Sequence, residues 1–407
     1  MAVSMPIQAS LAALLKPQVS RRHSLTILFH LRWIAALLVV ISHLRQNILV
    51  DYPLVDHPSL FAKALYWIAG YGPDAVIIFF ILSGFLVGRK ILDLVIAEDI
   101  ERQWPRFLVD RFSRIFIVLW PAMLLTAIIF AGLLLFIPNA PFMAEPSWGW
   151  AIRYPIDLDK DWRSWLGSFF LFNEFYTRTL LSDGPLWSLA FEWFYYIFAL
   201  AIVLLIRRVT TPGAIILIAY AVLLFVLSLK NNPAIVLLGS IWVMGVAARL
   251  VFDHQILRGV ILQYLGIALF LGVLILDRIY LLPPYFLGVA TAFLVAHTNW
   301  AHYNFAGALG RSLADFSYSL YVIHFPLCLI AMAVLYKLGL LNQRLPYDTT
   351  SLAIMFATLL MIMIVSRLFA ALTEDRTHAF RTVILRHMQK MLNRQARVNA
   401  NVGLDGN

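Results

Sequence analysis

The chain has 407 residues, 61% of them hydrophobic and 13% charged, with a net charge of +10. A soluble domain carries about a quarter charged residues, so this composition, with a mean hydropathy of +0.81, excludes a water-soluble enzyme and leaves lipid to cover apolar surface. The positive charge lies between apolar segments, which points to a membrane face rather than to nucleic acid.

The first 24 residues read as a short cytosolic lead-in without a cleaved signal peptide. Ten apolar segments follow, near 25–44, 75–94, 112–137, 185–206, 214–229, 234–251, 260–276, 281–297, 316–336 and 351–372. The fold class is therefore all-α: a polytopic membrane protein of about ten transmembrane helices. Residues 66–71 and 165–175 are apolar but too short to span, and read as interfacial or re-entrant. One transmembrane domain, 25–372, is expected, followed by a basic cytosolic tail, 373–407. Arg21, Arg22, Arg102 and Arg106 fall on the N-terminal side of the bilayer, and Arg376, Arg381, Arg386 and Lys390 of the tail return to it. Both termini are thus expected in the cytoplasm. The single cysteine, Cys328, excludes an intrachain disulfide and is expected to pack rather than react.

Ionisable residues inside a bilayer are costly and mark candidate sites. Arg32 and His43 lie eleven residues apart in the first span, about 16 Å and close to three turns, so they share a face. Either they reach the headgroups and cap the helix, or they set a permanent cation below a titratable base. In the second span, Ser83 and Gly84 permit close helix approach. Arg89 and Lys90 end that span, and Arg111 and Arg114 open the third. The cluster fits the positive-inside rule, and it also fits a phosphate site.

The fourth span begins at Gly184-Pro185, a helix-start signal. It carries Glu192 about two turns in, flanked by Trp187 and Tyr195. A carboxylate at that depth is paired or moves protons. In the ninth span His324 precedes Pro326, either as a hydrogen-bonded packing group or as part of a site. Trp148, Trp150, Trp162 and Trp165 crowd the loop 138–184. They suit an aromatic belt or a sugar-stacking surface.

Five quoted stretches, in order, resemble the acyltransferase-3 family of integral membrane acyltransferases. They are Arg32 with His43; Phe79-Phe80-Ile81-Leu82-Ser83-Gly84-Phe85-Leu86; Arg111-Phe112-Ser113-Arg114 with Trp120-Pro121; Leu186-Trp187-Ser188-Leu189 with Glu192; and Ser317-Tyr318-Ser319-Leu320-Tyr321 with His324 and Pro326. The resemblance covers about 25–372. It implies transfer of an acyl group, commonly acetyl, from cytoplasmic acyl-CoA to a hydroxyl of a surface or exported carbohydrate or glycolipid. Acyl-CoA is then the co-substrate, with no metal, and the membrane is the bacterial inner membrane. The position of His43 matches the family's catalytic base, and Arg32 is its motif partner. The expected site has His43 and Glu192 as catalytic groups, and Arg32, Arg89, Lys90, Arg111 and Arg114 on the donor. Trp187, Tyr195 and His324 are expected on the acceptor. Two departures stand out. Ile77 occupies a position that is acidic in many members, and Glu374 is followed by Asp375-Arg376 where Glu-x-Pro is common. The competing reading from the residues alone is a proton-coupled transporter or flippase of a sugar or lipid-linked substrate.

Overall fold

The computed structural model describes residues 15, 26–144, 148, 161–180, 186–256, 259–297 and 307–404. Its helices are α1 (Thr26–Ile48), α2 (Leu60–Ala69), α3 (Gly72–Val95), α4 (Ile100–Phe136), α5 (Trp162–Phe169), α6 (Leu186–Ile206), α7 (Pro212–Asn231), α8 (Ala234–His254), α9 (Val260–Tyr280), α10 (Pro284–His297), α11 (Gly307–Asp315), α12 (Ser317–Lys337), α13 (Thr349–Leu372) and α14 (Thr377–Leu404). Among the described residues there is no strand, only two isolated bridges. The chain is an all-α polytopic membrane protein.

Among the described residues nine helices are long and apolar enough to cross a bilayer: α1, α3, α4, α6, α7, α8, α9, α12 and α13. The expected tenth, 281–297, is helical over the 14 residues of α10, a rise of about 21 Å against a hydrocarbon core of about 30 Å. Packing shows that this short helix still returns the chain across. Arg32 meets Ser317, His43 meets His324 and Asn47 meets Cys328, so α1 and α12 run parallel. Seven helices between them must then cross, and α10 is the seventh. Gly266, early in α9, packs on Leu294, late in α10, as in an antiparallel hairpin. Glu374, just after α13, meets Ser319 at the start of α12, so α13 runs back. The starts of α1 and α14 therefore share one face, here the terminal face; the opposite face is distal.

Helices α3, α6 and α12 form the buried centre, and α9 lies outermost. The expected close approach at Gly84 is real. A Cβ there would stand 3.2 Å from Gly245 Cα on α8, and closer still to the Trp242 carbonyl oxygen. Only backbone fits between α3 and α8.

Two segments differ from the sequence reading. The third span begins not at 112 but at Ile100, in one 37-residue helix that runs through Pro105 and Pro121. A rise of about 55 Å exceeds the bilayer core, so α4 projects beyond it. The charged start of α4 reads as a linker because proline usually ends helices. The basic tail is helical as well. α14 packs on α4, with Phe380 stacked on Phe112 at 6.5 Å and Arg381 paired with Asp110. The short apolar segments form α2 and α5.

Candidate active site

Arg32 lies six residues into α1, and its Nη2 donates to Ser317 Oγ at 3.3 Å. Arg111 and Arg114 come from α4. The three guanidinium groups line one cavity of about 180 Å³ with Phe79, Ser83, Ser188, Glu192, Tyr196, Tyr318 and Tyr321. A water needs roughly 10–15 Å³ on this measure, so the cavity is a chamber rather than a packing fault. The Arg114 guanidinium sits 5.6 Å from the Tyr318 ring centroid and 3.5 Å from Glu374. Arg111 lies 5.8 Å from the Tyr196 ring and 5.9 Å from Phe107. Its Nε is buried without a hydrogen-bond partner among the described residues. An unmatched cationic donor beside a cavity suits an anionic ligand.

One turn nearer the terminal face, a second cavity of about 420 Å³ is lined by Lys90, Arg102, Arg106, Phe107 and Asp110, among others. Arg111 stands between the two, since Phe107 lines this one and Tyr196 the first.

Glu192 is held on the chamber wall. Its Oε1 accepts from Ser83 Oγ at 2.7 Å and from the Tyr196 hydroxyl. Trp242 Nε1 of α8 donates to the same Ser83 oxygen at 3.2 Å. Helices α3, α6 and α8 thus meet at one carboxylate, which satisfies a charge that would otherwise be costly.

The histidines are separate from this chamber. His43 Nδ1 and His324 Nε2 are 2.8 Å apart, with the ring centroids 5.1 Å apart and the ring planes within 19° of parallel. His324 Nδ1 lies 2.8 Å from the Tyr321 carbonyl oxygen. Tyr321 forms the wall between histidines and chamber. Its side chain lines the chamber, with its hydroxyl 2.6 Å from Ser188 Oγ and its ring edge-on to Phe79 at 5.4 Å.

Of the expected site, the structure gathers Arg32, Arg111, Arg114 and Glu192 around the chamber and joins His43 to His324. It does not bring the others there. Arg89 is tied to Asp93 and, at 3.0 Å, to buried Asp253. Lys90 lines the outer cavity, paired with Asp110 at 2.7 Å. Tyr195 donates to the Ile235 carbonyl at 2.8 Å. Trp187 packs on Phe80 and Phe191. Trp148 is buried, donating to the Asn47 carbonyl at 3.0 Å, whereas Trp162 is exposed. Trp150 lies outside the described residues. Sequence reasoning gave no site role to Tyr196, Tyr321, Trp242 or Glu374. Tyr196 had a signal, being four residues beyond Glu192 on one helix face. Trp242 had none.

A family model of an acyltransferase domain, that of the acyltransferase-3 family, matches residues 28–371. The chain belongs to the acyltransferase-3 family. Comparison with curated proteins and with solved structures returns no match. The match takes in every helix that lines the chamber and both helices of the histidine pair. This member of the family is a membrane acyltransferase.

Proposed function

We propose that this acyltransferase moves an acetyl group, or a close relative, from acyl-CoA on the cytoplasmic side to a hydroxyl of an exported or surface carbohydrate or glycolipid. The observation that carries the reading is the three-arginine chamber set one tyrosine away from a hydrogen-bonded histidine pair. The basic terminal face is the cytoplasmic one by its charge, in a bacterial inner membrane. Phosphates of the donor pair with Arg111 and Arg114, with Arg32 deeper, as guanidinium forks match phosphate oxygens. The outer cavity gives room for the nucleotide end and the chamber for the pantetheine arm. The acyl end passes Tyr321 to reach His43, which lies five residues from the distal end of α1.

His43 takes the proton of the acceptor hydroxyl. The oxygen attacks the thioester carbonyl carbon, the carbon–sulfur bond breaks, and the departing thiolate takes the proton back from His43. Glu192, already held by Ser83 and Tyr196, shapes the chamber.

The test compares wild type with His43→Ala at matched levels in a strain lacking the gene. Base-labile esters on envelope and secreted glycans are read by mass spectrometry. Ester in wild type alone is expected, and its added mass names the acyl group. Equal ester in both strains would remove His43 from the chemistry. A wild-type protein that forms no ester and gains no thermal stability from acetyl-CoA, as a native-state ligand must confer, would overturn the reading as a whole.

A further inference from the structure

A histidine acts as a base only through the ring nitrogen that lacks a proton, and its neighbour on the other nitrogen decides which one that is. The chain of contacts at the α1–α12 junction fixes this point. The Tyr321 carbonyl can only accept, so His324 Nδ1, 2.8 Å away, carries a proton and donates. His324 is 1% exposed, and among the described residues no carboxylate pairs with it. An imidazolium buried without a counter-charge is costly, so His324 stays neutral. A neutral ring with a proton on Nδ1 has only a lone pair on Nε2. That lone pair faces His43 Nδ1 at 2.8 Å, so His43 Nδ1 must carry the proton and donate.

We infer that His324 is a positioning residue that locks His43 into its Nδ1–H tautomer and so leaves the lone pair, and the basicity, on His43 Nε2. The inference deepens the acyl-transfer reading above and rests on it for its function. It assigns to His324 a role at the base rather than on the acceptor, and it assigns the orientation of His43 to α12. The same contact serves the charged form. When His43 Nε2 takes the hydroxyl proton, Nδ1–H keeps its acceptor, so the imidazolium remains hydrogen-bonded until the thiolate removes the proton. The rings are nearly parallel, at 19°, and Phe325 lies edge-on to His43 at 5.9 Å, which holds the imidazole plane.

The test is spectroscopic and needs no acceptor. Full-length protein is prepared in nanodiscs with isotopically labelled histidine, and the His43 signals are assigned by their absence in His43→Gln. Ring-nitrogen shifts separate N–H from lone-pair nitrogen. Wild type should show a protonated Nδ1 and an Nε2 that carries no proton at His43. His324→Gln places an amide oxygen where Nε2 was and should preserve that tautomer. His324→Phe offers no acceptor and should release it. Ester formation should stay within about tenfold of wild type in the glutamine variant and fall at least about 100-fold in the phenylalanine variant, the scale of a lost general base. KM for acyl-CoA should be unchanged in both. A wild-type His43 with its proton on Nε2, or an unchanged tautomer in His324→Phe, overturns the inference. Should His324→Phe fail to fold, the wild-type and glutamine spectra decide. A wild type with the stated tautomer that makes no ester defeats the acyl-transfer reading and leaves the tautomer lock standing.

Discussion

Replacing Glu374 should uncouple the start of α12 from the end of α13. Glu374 is 7% exposed, and its Oε2 accepts from the Ser319 amide at 2.9 Å and the Ser319 hydroxyl at 3.0 Å. The first amides of any helix lack partners within it. The residue before α12, Phe316, offers no side-chain cap. Glu374 therefore caps α12 from another helix and sets a negative charge at the positive end of its dipole. Glu374→Ala leaves a buried amide without an acceptor, at about 1–3 kcal/mol, and loses the favourable charge, at about 1 kcal/mol. The Ser319 hydroxyl can turn to a helix carbonyl and adds little. Arg114, 38% exposed and 3.5 Å away, also adds little after screening by solvent. The sum is about 3 kcal/mol. Glu374→Gln keeps an oxygen for the amide and loses only charge, about 1 kcal/mol. Equilibrium unfolding in mixed micelles, followed by tryptophan fluorescence, reads the gap of about 2 kcal/mol between the two variants. Equal destabilisation by alanine and glutamine, or neither variant departing from wild type, would refute the capping argument.

Three further outcomes follow from the charged groups. Arg111→Gln and Arg114→Gln should each raise KM for acyl-CoA about tenfold, the worth of one charged hydrogen bond. Arg89→Gln should leave that KM unchanged and instead lower stability by about 1–3 kcal/mol, because buried Asp253 keeps Arg249 at 2.9 Å but loses Arg89. A parallel rise in KM for Arg89→Gln would refute the division between donor and structural cations. On the distal face, Asp51 is held below its ordinary 3.8 by the hydrogen bond from Arg344, against an opposing effect of burial, with Arg45 adding to the lowering. The folded carboxylate therefore binds its proton less tightly than the unfolded one. Its contribution is complete above the unfolded value and fades as pH falls through the lowered one. Wild type and Asp51→Asn should differ in unfolding midpoint at neutral pH and converge in acid; a gap that widens on acidification would contradict this sign.

The membrane architecture was legible because the spanning helices are long apolar runs with few charges inside them. The limits of that signal show at α4 and α10. Pro105 and the arginines before Phe112 have the composition of a loop, and only packing of α14 on α4 shows why the helix persists there. α10 is too short to identify by length, and its crossing is established by the parallel pairing of α1 with α12. At the site, Arg32, Arg111, Arg114, His43 and Glu192 were legible because a buried charge needs a reason. Arg89 was misleading for the same reason: its partner Asp253 lies 164 residues away, a distance no local pattern spans. The partnership of His43 with His324 was hidden likewise, since the two residues are 281 positions apart, and alone one reads as a helix cap and the other as a packing histidine.

The histidine contact survives because α1 and α12 are pinned on both sides of it. Toward the terminal face, Arg32 reaches Ser317, and Glu374 caps the next residues of α12. Toward the distal face, Asn47 meets buried Cys328 at 3.8 Å. Beyond the helix end the backbone itself closes the clip, Val50 N to Leu345 O at 2.9 Å and Leu345 N to Ile48 O at 2.7 Å. Asp51 then joins Arg45 at 2.9 Å and Arg344 at 2.7 Å. A slip of one residue along a helix moves a side chain about 1.5 Å and turns it by about 100°, enough to destroy a contact of 2.8 Å. The clip lies on loops and the cap on a helix end, so both hold the histidine pair from outside it. α1 also carries Arg32 into the three-arginine chamber, so the helix that registers the histidines registers that cation as well. In the proposed reaction, donor position and base orientation would therefore be set by one pair of helices, and Tyr321, on the turn just before His324, is the side chain that would have to give way for the acyl end to pass from one to the other.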